Sequence, residues 1–255
     1  MRQRPEQETV RVAEHLRVSI HQPAYLPYGG FFAKMLSSDI HIVLDTVLYS
    51  RSGFQNRNRI RDVQGEVWLT VPVHGKKTQT LDSLTVDKQT NWSARHWQTI
   101  LRTYGKKGSA ELNWVRDLKQ ERFADVAATC LERLSALLGI KIPIMHASEL
   151  RPNTVGQDAD QRLIDLMTAV GGSEYVSGSM GRNYMNLQRW QEVGLAVTFC
   201  QWTSPAYPQE PHTDFVPNLS VVDLMGRLGP SAARELIEEG IALDTAVRGS
   251  IAGPG

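Results

Sequence analysis

The most constraining feature of this sequence is a pair of short apolar runs, each ending in polar residues, within residues 18–60. The first run, residues 18–20, stops at His21, and the second, residues 40–44, stops at Asp45. Because ligands of α/β proteins bind beyond the carboxyl ends of buried strands, both polar ends are candidate site positions. The pattern predicts two neighbouring parallel strands with a ligand site at their shared edge.

Composition narrows the classes of protein that the chain can belong to. With 255 residues, of which 41% are hydrophobic and 22% charged, it fits a globular protein with one large core. The net charge of +1 provides no broad basic face for a nucleic-acid duplex, so small-molecule substrates are the expected partners. No run approaches the roughly 18 apolar residues of a membrane span, and we expect a cytoplasmic protein with no membrane partner. Composition leaves the oligomeric state open.

Strand and helix patterns alternate along the rest of the chain. A third strand is predicted at residues 66–73, and the later predicted strands are residues 142–146, 174–177 and 195–201. The predicted helices are residues 31–38, 91–104, 122–140, 156–172, 187–193 and 231–239. Short connections between the later elements are typical of right-handed parallel units.

These elements predict an α/β fold with a mostly parallel, doubly wound sheet of the nucleotide-binding Rossmann-like kind. One catalytic domain is expected over residues 18–240, with a helical insertion at about residues 91–140. Residues 1–17 are expected to be a flexible N-terminus and residues 241–255 a C-terminal tail. Cys130 and Cys200 lie in apolar periodic segments without CxxC spacing, which favours core thiols over a disulfide or a zinc site.

The end of the first predicted strand carries the first candidate site. His21, Gln22 and Tyr25 combine an imidazole, an amide and a phenol there, and a histidine in this place can act as general acid or base. Asp45 can bind a metal, hold a ribose hydroxyl or orient a base. The alternative is structural: His21 pins its turn, and Asp45 caps the turn that follows it.

The segment from residue 49 to 61 is predicted to be one loop rich in arginine and amide side chains. Guanidinium groups bind paired oxygens of phosphates or carboxylates, and amides fix neighbouring hydroxyls. The candidate ligand-binding residues are Ser50, Gln55, Asn56, Arg57 and Asn58. With a net charge near zero, the favoured ligand is a small anion such as a nucleotide or nucleotide sugar, and the alternative is a solvated basic loop.

Two later segments add candidate binding residues. After the strand at residues 174–177, glycines three residues apart let backbone N–H groups approach an anion, and the alternative is a simple tight turn. The candidates there are Ser177, Gly178, Gly181, Arg182 and Tyr184. In the proline-rich segment 204–223, Gln209 and Asp223 either complete the site or shape the turn before a helix capped by Ser220.

Several separated motifs resemble those of the WbqC-like protein family in the same order, over about residues 20–229. They read HQPAYLPYGGFFAK, SDIHIVLDTVLYSRSGFQNRNRI, WLTVPV, YVSGSMGRNYM and FVPNLSVVDLMGRLG. The resemblance implies an enzyme of bacterial surface-polysaccharide or secondary-metabolite biosynthesis that acylates or aminoacylates amino sugars. It places family-typical motifs on His21, Gln22, Pro23, Tyr25, Asp45, Tyr49, Ser50, Gln55, Asn56, Arg57, Asn58, Ser177, Gly178, Gly181, Tyr184, Gln209, Ser220 and Asp223.

The opening strand, turn and helix are also similar, more loosely, to nucleotidyl-transferring α/β enzymes that activate carboxylates or phosphates with ATP. This similarity implies ATP and Mg²⁺ as cofactors, with Asp45 as the best-placed carboxylate. The chain differs from those enzymes because it has a single histidine in HQPAYLP where they carry a pair. It also lacks their lysine-rich motif, so transfer from a preactivated donor stays an alternative to ATP-dependent ligation.

The sequence thus predicts an enzyme that joins an acyl or aminoacyl group to an amine of a sugar or aminocyclitol-like substrate. In this hypothesis His21 and Asp45 are catalytic, and the other candidates bind the substrates. A non-catalytic protein that binds a nucleotide sugar or phosphometabolite is the main alternative. A regulatory or scaffolding subunit is a third.

Overall fold

The computed structural model describes residues 15–76, 78–150 and 158–248. Its strands are β1 (Arg17–His21), β2 (Ile40–Val43), β3 (Arg57–Asp62), β4 (Gly65–Thr70), β5 (Val73–His74), β6 (Thr85–Val86), β7 (Ile144–His146), β8 (Glu174–Gly178), β9 (Ala196–Trp202) and β10 (Ile241–Val247). Its α-helices are α1 (Gly29–Leu36), α2 (Trp92–Gly108), α3 (Phe123–Leu137), α4 (Ala147–Leu150), α5 (Ala159–Ala169), α6 (Leu187–Glu192), α7 (Val221–Leu228) and α8 (Pro230–Glu239). Short 3-10 helices occupy Leu81–Ser83, Ala110–Asp117 and Ser179–Asn183.

Six strands form the main sheet in the order β10-β9-β8-β1-β2-β7, which makes the protein a mixed α/β structure. The five strands from β7 to β9 run parallel, and β10 is antiparallel at one edge. From β1 the chain passes to β2 and then β7 on one side, and later to β8 and β9 on the other. The strand order therefore reverses between β1 and β8, and a crevice at the carboxyl ends of these two strands is where open α/β sheets bind ligands.

Apolar residues at the centre of the sheet explain why β1, β2 and α1 form as predicted. Val18 and Ile20 of β1 and Ile42 of β2 are buried, because both faces of a parallel sheet are covered. In α1 every residue but the last is buried, including Lys34, so this helix has no solvent-facing side. The two cysteines are buried free thiols, in agreement with the sequence prediction.

The segment from residue 49 to 73 differs from the prediction. Its second part is the strand β3, which pairs with β4 in an antiparallel hairpin separate from the main sheet. The single loop expected at residues 49–61 is therefore wrong beyond residue 56. The third strand predicted at residues 66–73 is shorter and divided, because Pro72 follows β4 and the chain resumes as β5.

Other differences concern the ends of elements. The predicted helix 91–104 continues to Gly108, although it kinks at Gly105, where φ is 66°. Residues 241–247, expected to be tail, form β10 against β9. The first two residues of the predicted helix 156–172, residues 1–14 of the expected flexible N-terminus, and residues 249–255 of the expected tail lie outside the described residues. In the described part of the chain, no helix is long and apolar enough to cross a membrane.

Candidate active site

A cleft of about 730 Å³ opens at the carboxyl end of β1. Its wall comes from the β1–α1 connection and α1, the loop before β3 and the start of β3, the start of the 3-10 helix after β8, the end of β9, and Asn218. A second cavity of about 480 Å³ shares His21, Gln22, Tyr28 and Ser179 with the first and continues toward β8. The two cavities thus meet at the switch point between β1 and β8, as the strand order predicts.

His21 lies where the two cavities meet. Its Nδ1 is 2.9 Å from the carbonyl oxygen of Gln22, which accepts a hydrogen bond only if Nδ1 carries the proton. Burial, together with the positive charge of Lys34, lowers the pKa of His21 to about 3, although the bond to Gln22 acts in the opposite direction. The imidazole is therefore neutral at physiological pH. Its Nε2, which has no hydrogen-bond partner among the described residues, is an unprotonated acceptor.

Lys34 of α1 lines the second cavity and was not among the residues predicted from the sequence. It is only 5% exposed and donates a hydrogen bond of 2.7 Å from Nζ to the carbonyl oxygen of Ile20. Burial lowers its pKa to about 7, so it exchanges a proton near neutral pH. A lysine inside the otherwise apolar run FFAKML was the available signal, because lysine is almost never fully buried without a reason.

No described residue that lines either cavity is an aspartate or glutamate. Arg59 lines the first cavity, and Lys34 and Arg162 line the second. The neutral polar residues of the first cavity are Gln22, Ser50, Gln55, Asn58, Ser179 and Asn218. Basic groups without carboxylates favour an anionic ligand, and amides and hydroxyls suit a ligand that carries hydroxyl groups.

Asp45 does not line these cavities. The backbone just before it does pass next to His21, because Leu44 N donates a hydrogen bond to the carbonyl oxygen of His21. Its two carboxylate oxygens accept hydrogen bonds from the backbone and hydroxyl of Ser148, at 2.9 and 2.6 Å, and His146 Nδ1 lies 3.4 Å away. Burial acts to raise the pKa of Asp45, but these hydrogen bonds outweigh it and lower the pKa. The carboxylate thus joins the ends of β2 and β7.

This arrangement does not fit a magnesium site at Asp45. Both of its oxygens are already occupied by Ser148 and His146, so it has no obvious position for a phosphate-bridging cation. Across the described ranges, no group of three or more histidine, cysteine, aspartate or glutamate residues could hold a metal ion. The contacts of Asp45 are therefore those of a structural carboxylate, not of a ligand for Mg²⁺.

The predicted loop residues divide into two groups. Ser50, Gln55 and Asn58 line the cleft, and Gln55 also donates 2.7 Å to the side-chain oxygen of Gln22. Asn56 and Arg57 do not line the cleft. The Asn56 amide donates to the carbonyl of Val71, and Arg57 donates to the carbonyls of Ser52 and Gly53. Both of these side chains hold the loop against the hairpin.

The predicted residues after β8 also divide. Gly178, Gly181 and Tyr184 line the second cavity. Gly181 has no space for a side chain, because an added Cβ would lie 2.2 Å from Ser177 Oγ. Ser177 is buried below this turn. Arg182 lies outside the cleft, where it forms an ion pair with Asp244 and packs 4.3 Å from the ring centre of Phe199.

Tyr25, Gln209 and Asp223, all predicted as binding residues, are buried and line neither cavity. Tyr25 pairs its hydroxyl with His96 Nδ1 at 2.9 Å. Gln209 accepts from Arg61 and donates to the carbonyl of Val216. Asp223 is fully buried, and four groups of other residues donate hydrogen bonds to its carboxylate. Ser220 caps α7, because its hydroxyl accepts a hydrogen bond from the backbone of Val222.

Two aromatic residues of the cleft had no functional prediction. Tyr28 and Trp202 stand edge to face with ring centres 5.9 Å apart, and both line the cleft. Phe54 and Arg59, from the segment 49–61 predicted to bind an anion, and Asn218, from the proline-rich segment, complete its outer wall. Only the pairing of distant strands brings Trp202 of β9 next to the β1–α1 turn, so sequence spacing carried no signal for it.

The fold and the site together define a mixed α/β protein with a cleft at the point where the strand order of its sheet reverses. The model of the WbqC-like protein family matches residues 22–235, and the chain belongs to this family. A similar protein is "Uncharacterized protein Rv1507c" of Mycobacterium tuberculosis (strain ATCC 25618 / H37Rv), 27% identical over 224 residues, which are 85% of this chain and 95% of that protein. No solved structure matches the chain.

Proposed function

We propose that this protein is an enzyme that transfers an acyl or aminoacyl group from a preactivated donor to an amine of a sugar or aminocyclitol-like acceptor. The observation that carries the proposal is His21, a neutral histidine with an unprotonated Nε2 at the switch-point cleft. A histidine in that state can accept a proton from an attacking nucleophile. The position is also the one at which Rossmann-like sheets bind their ligands.

The reaction balances without an added oxidant or reductant. The acceptor amine attacks the donor carbonyl, the new C–N bond forms, and His21 Nε2 takes one proton from the amine nitrogen. The bond from the carbonyl carbon to the donor's sulfur or oxygen then breaks. The imidazolium returns its proton to that leaving atom, so the products are an amide and a thiol or alcohol.

The charges of the cleft support attack by an amine. An amine must lose its proton before it can act as a nucleophile, and a nearby carboxylate would stabilise the protonated form instead. The described lining has no carboxylate, and Lys34 adds a basic group beside His21. Gln22, Ser50, Gln55 and Asn58 are suited to the hydroxyl groups of a sugar.

A preactivated donor is favoured over ATP-dependent ligation because Asp45 is engaged by Ser148 and His146. We expect the purified protein to form an amide from an amino sugar and an acyl or aminoacyl thioester when ATP and Mg²⁺ are absent. Mass spectrometry of the product checks this. Amide formation only with a free acid, ATP and Mg²⁺ would instead support a ligase.

The variant His21→Ala should lower turnover by about 10²–10⁴-fold without changing the unfolding curve. His74→Ala is the matched control, because His74 lies on β5 outside the cleft and its side chain is 68% exposed. Unchanged turnover in His21→Ala would remove this residue from the chemistry. Ligand binding without turnover for any donor would favour the non-catalytic binding protein.

A further inference from the structure

Two large aromatic side chains, Phe54 and Trp68, are exposed beside the cleft. They are 52% and 44% exposed, and their ring centres are 5.5 Å apart at an angle of 37°. Phe54 comes from the loop before β3, and Trp68 lies on β4. Exposed aromatic surface often marks a binding site. The proposed acceptor site uses neither of these rings, so the pair indicates a further binding surface.

Two arginines accompany the aromatic pair. Arg59 lies directly across from Trp68 in the β3–β4 hairpin, and alternate residues of a strand share a face, so Arg57 lies on that face too. The guanidinium of Arg57 is 4.7 Å from the ring centre of Trp68, and that of Arg59 is 5.5 Å from it. These cation–π contacts hold the indole in place.

Arg59 connects the aromatic pair to the cleft. Its Nη1 donates to Glu66, whereas its buried Nε has no hydrogen-bond partner among the described residues. Arg59 and Phe54 both line the cleft that contains His21. A ligand that contacts Phe54 and Arg59 can therefore extend along one continuous cavity to His21.

We propose that Phe54, Trp68 and Arg59 bind the nucleotide part of the donor: the aromatic rings stack with its base, and Arg59 contacts its phosphate. Base–aromatic stacking tolerates any base, and a guanidinium matches the paired oxygens of a phosphate. This inference rests on the proposed function in one respect: the nucleotide is assigned to the acyl donor. The acyl group would then lie toward His21.

Calorimetry with the full chain tests the proposal, with ADP, UDP and inorganic pyrophosphate as probes. We expect both nucleotides to bind. Trp68→Leu and Phe54→Leu should each weaken nucleotide binding by about 5- to 150-fold and leave pyrophosphate binding unchanged. Arg59→Met should weaken all three. Val63→Ala is the control, since Val63 is a 70% exposed apolar residue at the turn of the same hairpin, away from the cleft.

Three results would overturn the proposal. They are no binding of either nucleotide at millimolar concentration, pyrophosphate binding as tight as that of ADP, and wild-type nucleotide affinity in folded Trp68→Leu and Phe54→Leu proteins. Because calorimetry needs no turnover, nucleotide binding that depends on Trp68 would stand even if no amide forms. Conversely, amide formation without nucleotide binding would overturn this inference and leave the proposed acyl transfer intact.

Discussion

The polar clusters around Asp223 and around His21 both come from family-typical motifs, but their polar atoms are used differently. Asp223 is 0% exposed, and its two oxygens accept hydrogen bonds from the backbone of Arg61 and from Tyr104, Tyr207 and Arg227, at 2.7–3.0 Å. His21 uses one nitrogen to fix its ring and leaves the other unprotonated beside a cavity. A buried polar group with every partner in place stabilises the fold, whereas one with spare capacity can act on a ligand.

The difference has a physical basis in the cost of burial. A buried carboxylate without partners is so unfavourable that the surrounding residues must supply donors, and these join β3, α2 and α7 around Asp223. Burial and Asp223 raise the pKa of Tyr104 well above its usual value, which keeps its hydroxyl a donor. His21 avoids the same cost by being neutral, so it needs fewer partners.

The largest expected effect on stability is at Asp223. Asp223→Asn leaves the Arg227 guanidinium without its counter-charge, and we expect the free energy of unfolding to fall by about 3–5 kcal/mol. Chemical denaturation measures this. The control is Asp244→Asn, which breaks the exposed ion pair with Arg182 and should cost no more than about 1 kcal/mol. Equal losses in the two variants would contradict the structural role of the buried cluster.

Lys34 should make stability depend on pH. Its pKa is about 7 in the folded chain and ordinary in the unfolded chain, so the unfolded state binds more protons between pH 7 and 10.5. The free energy of unfolding should therefore gain about 2 kcal/mol from this residue between pH 7 and pH 9. Lys34→Met should abolish that gain, while Lys106→Met, at an exposed position, should keep it. A gain that persists in Lys34→Met would exclude Lys34 as its source.

Asp45 was predicted to be catalytic, whereas its observed contacts with Ser148 and His146 are structural. Asp45→Asn should lower the free energy of unfolding by about 1–2 kcal/mol, because it weakens the charge-assisted bonds from Ser148 and His146. Since the Asp45 pKa is lowered in the folded chain, this stabilisation is present above the ordinary pKa of aspartate and is lost as pH falls through the folded value. Turnover should change only a few-fold. A 100-fold loss of turnover with unchanged stability would return Asp45 to the chemistry.

Arg57 should have the smallest effect. Arg57→Lys keeps the charge but loses the fork that donates to Ser52 and Gly53, and we expect a loss of about 1 kcal/mol in nucleotide binding as the loop and Trp68 become less fixed. Calorimetry with ADP measures it. A loss above about 3 kcal/mol, with an unchanged unfolding curve, would mean that Arg57 itself contacts the anion.

The sequence was informative where a residue's neighbours in the chain decide its surroundings. The buried strands β1 and β2 were predictable from continuous apolar runs. Strand β3 was not, because its alternating arginines and asparagine resemble a polar loop until the pairing with β4 is known. Strand β10 is an edge strand with mostly exposed residues, and only its pairing with β9 identifies it.

The same limit applies to the site. His21, Gln22, Gln55 and Asn58 were predicted and line the cleft, because they lie at or near the end of β1. Residue type could not separate these from Asp223, whose partners come from segments far apart in the chain. Trp202 and Lys34 were missed, since each lies in an apolar segment that appeared to serve packing alone.

The protonation of the two ring nitrogens of His21 is the measurement on which the proposed site depends most. We would record the ¹⁵N spectrum of the histidine side chains from pH 5 to pH 8 and assign His21 by its loss in His21→Ala. We predict a protonated Nδ1, an unprotonated Nε2 and no titration over this range, because the pKa is about 3. Titration near pH 6.5 would contradict only the lowered pKa, whereas a His21 that carries its neutral-state proton on Nε2 would contradict the base that the proposed function assigns to it.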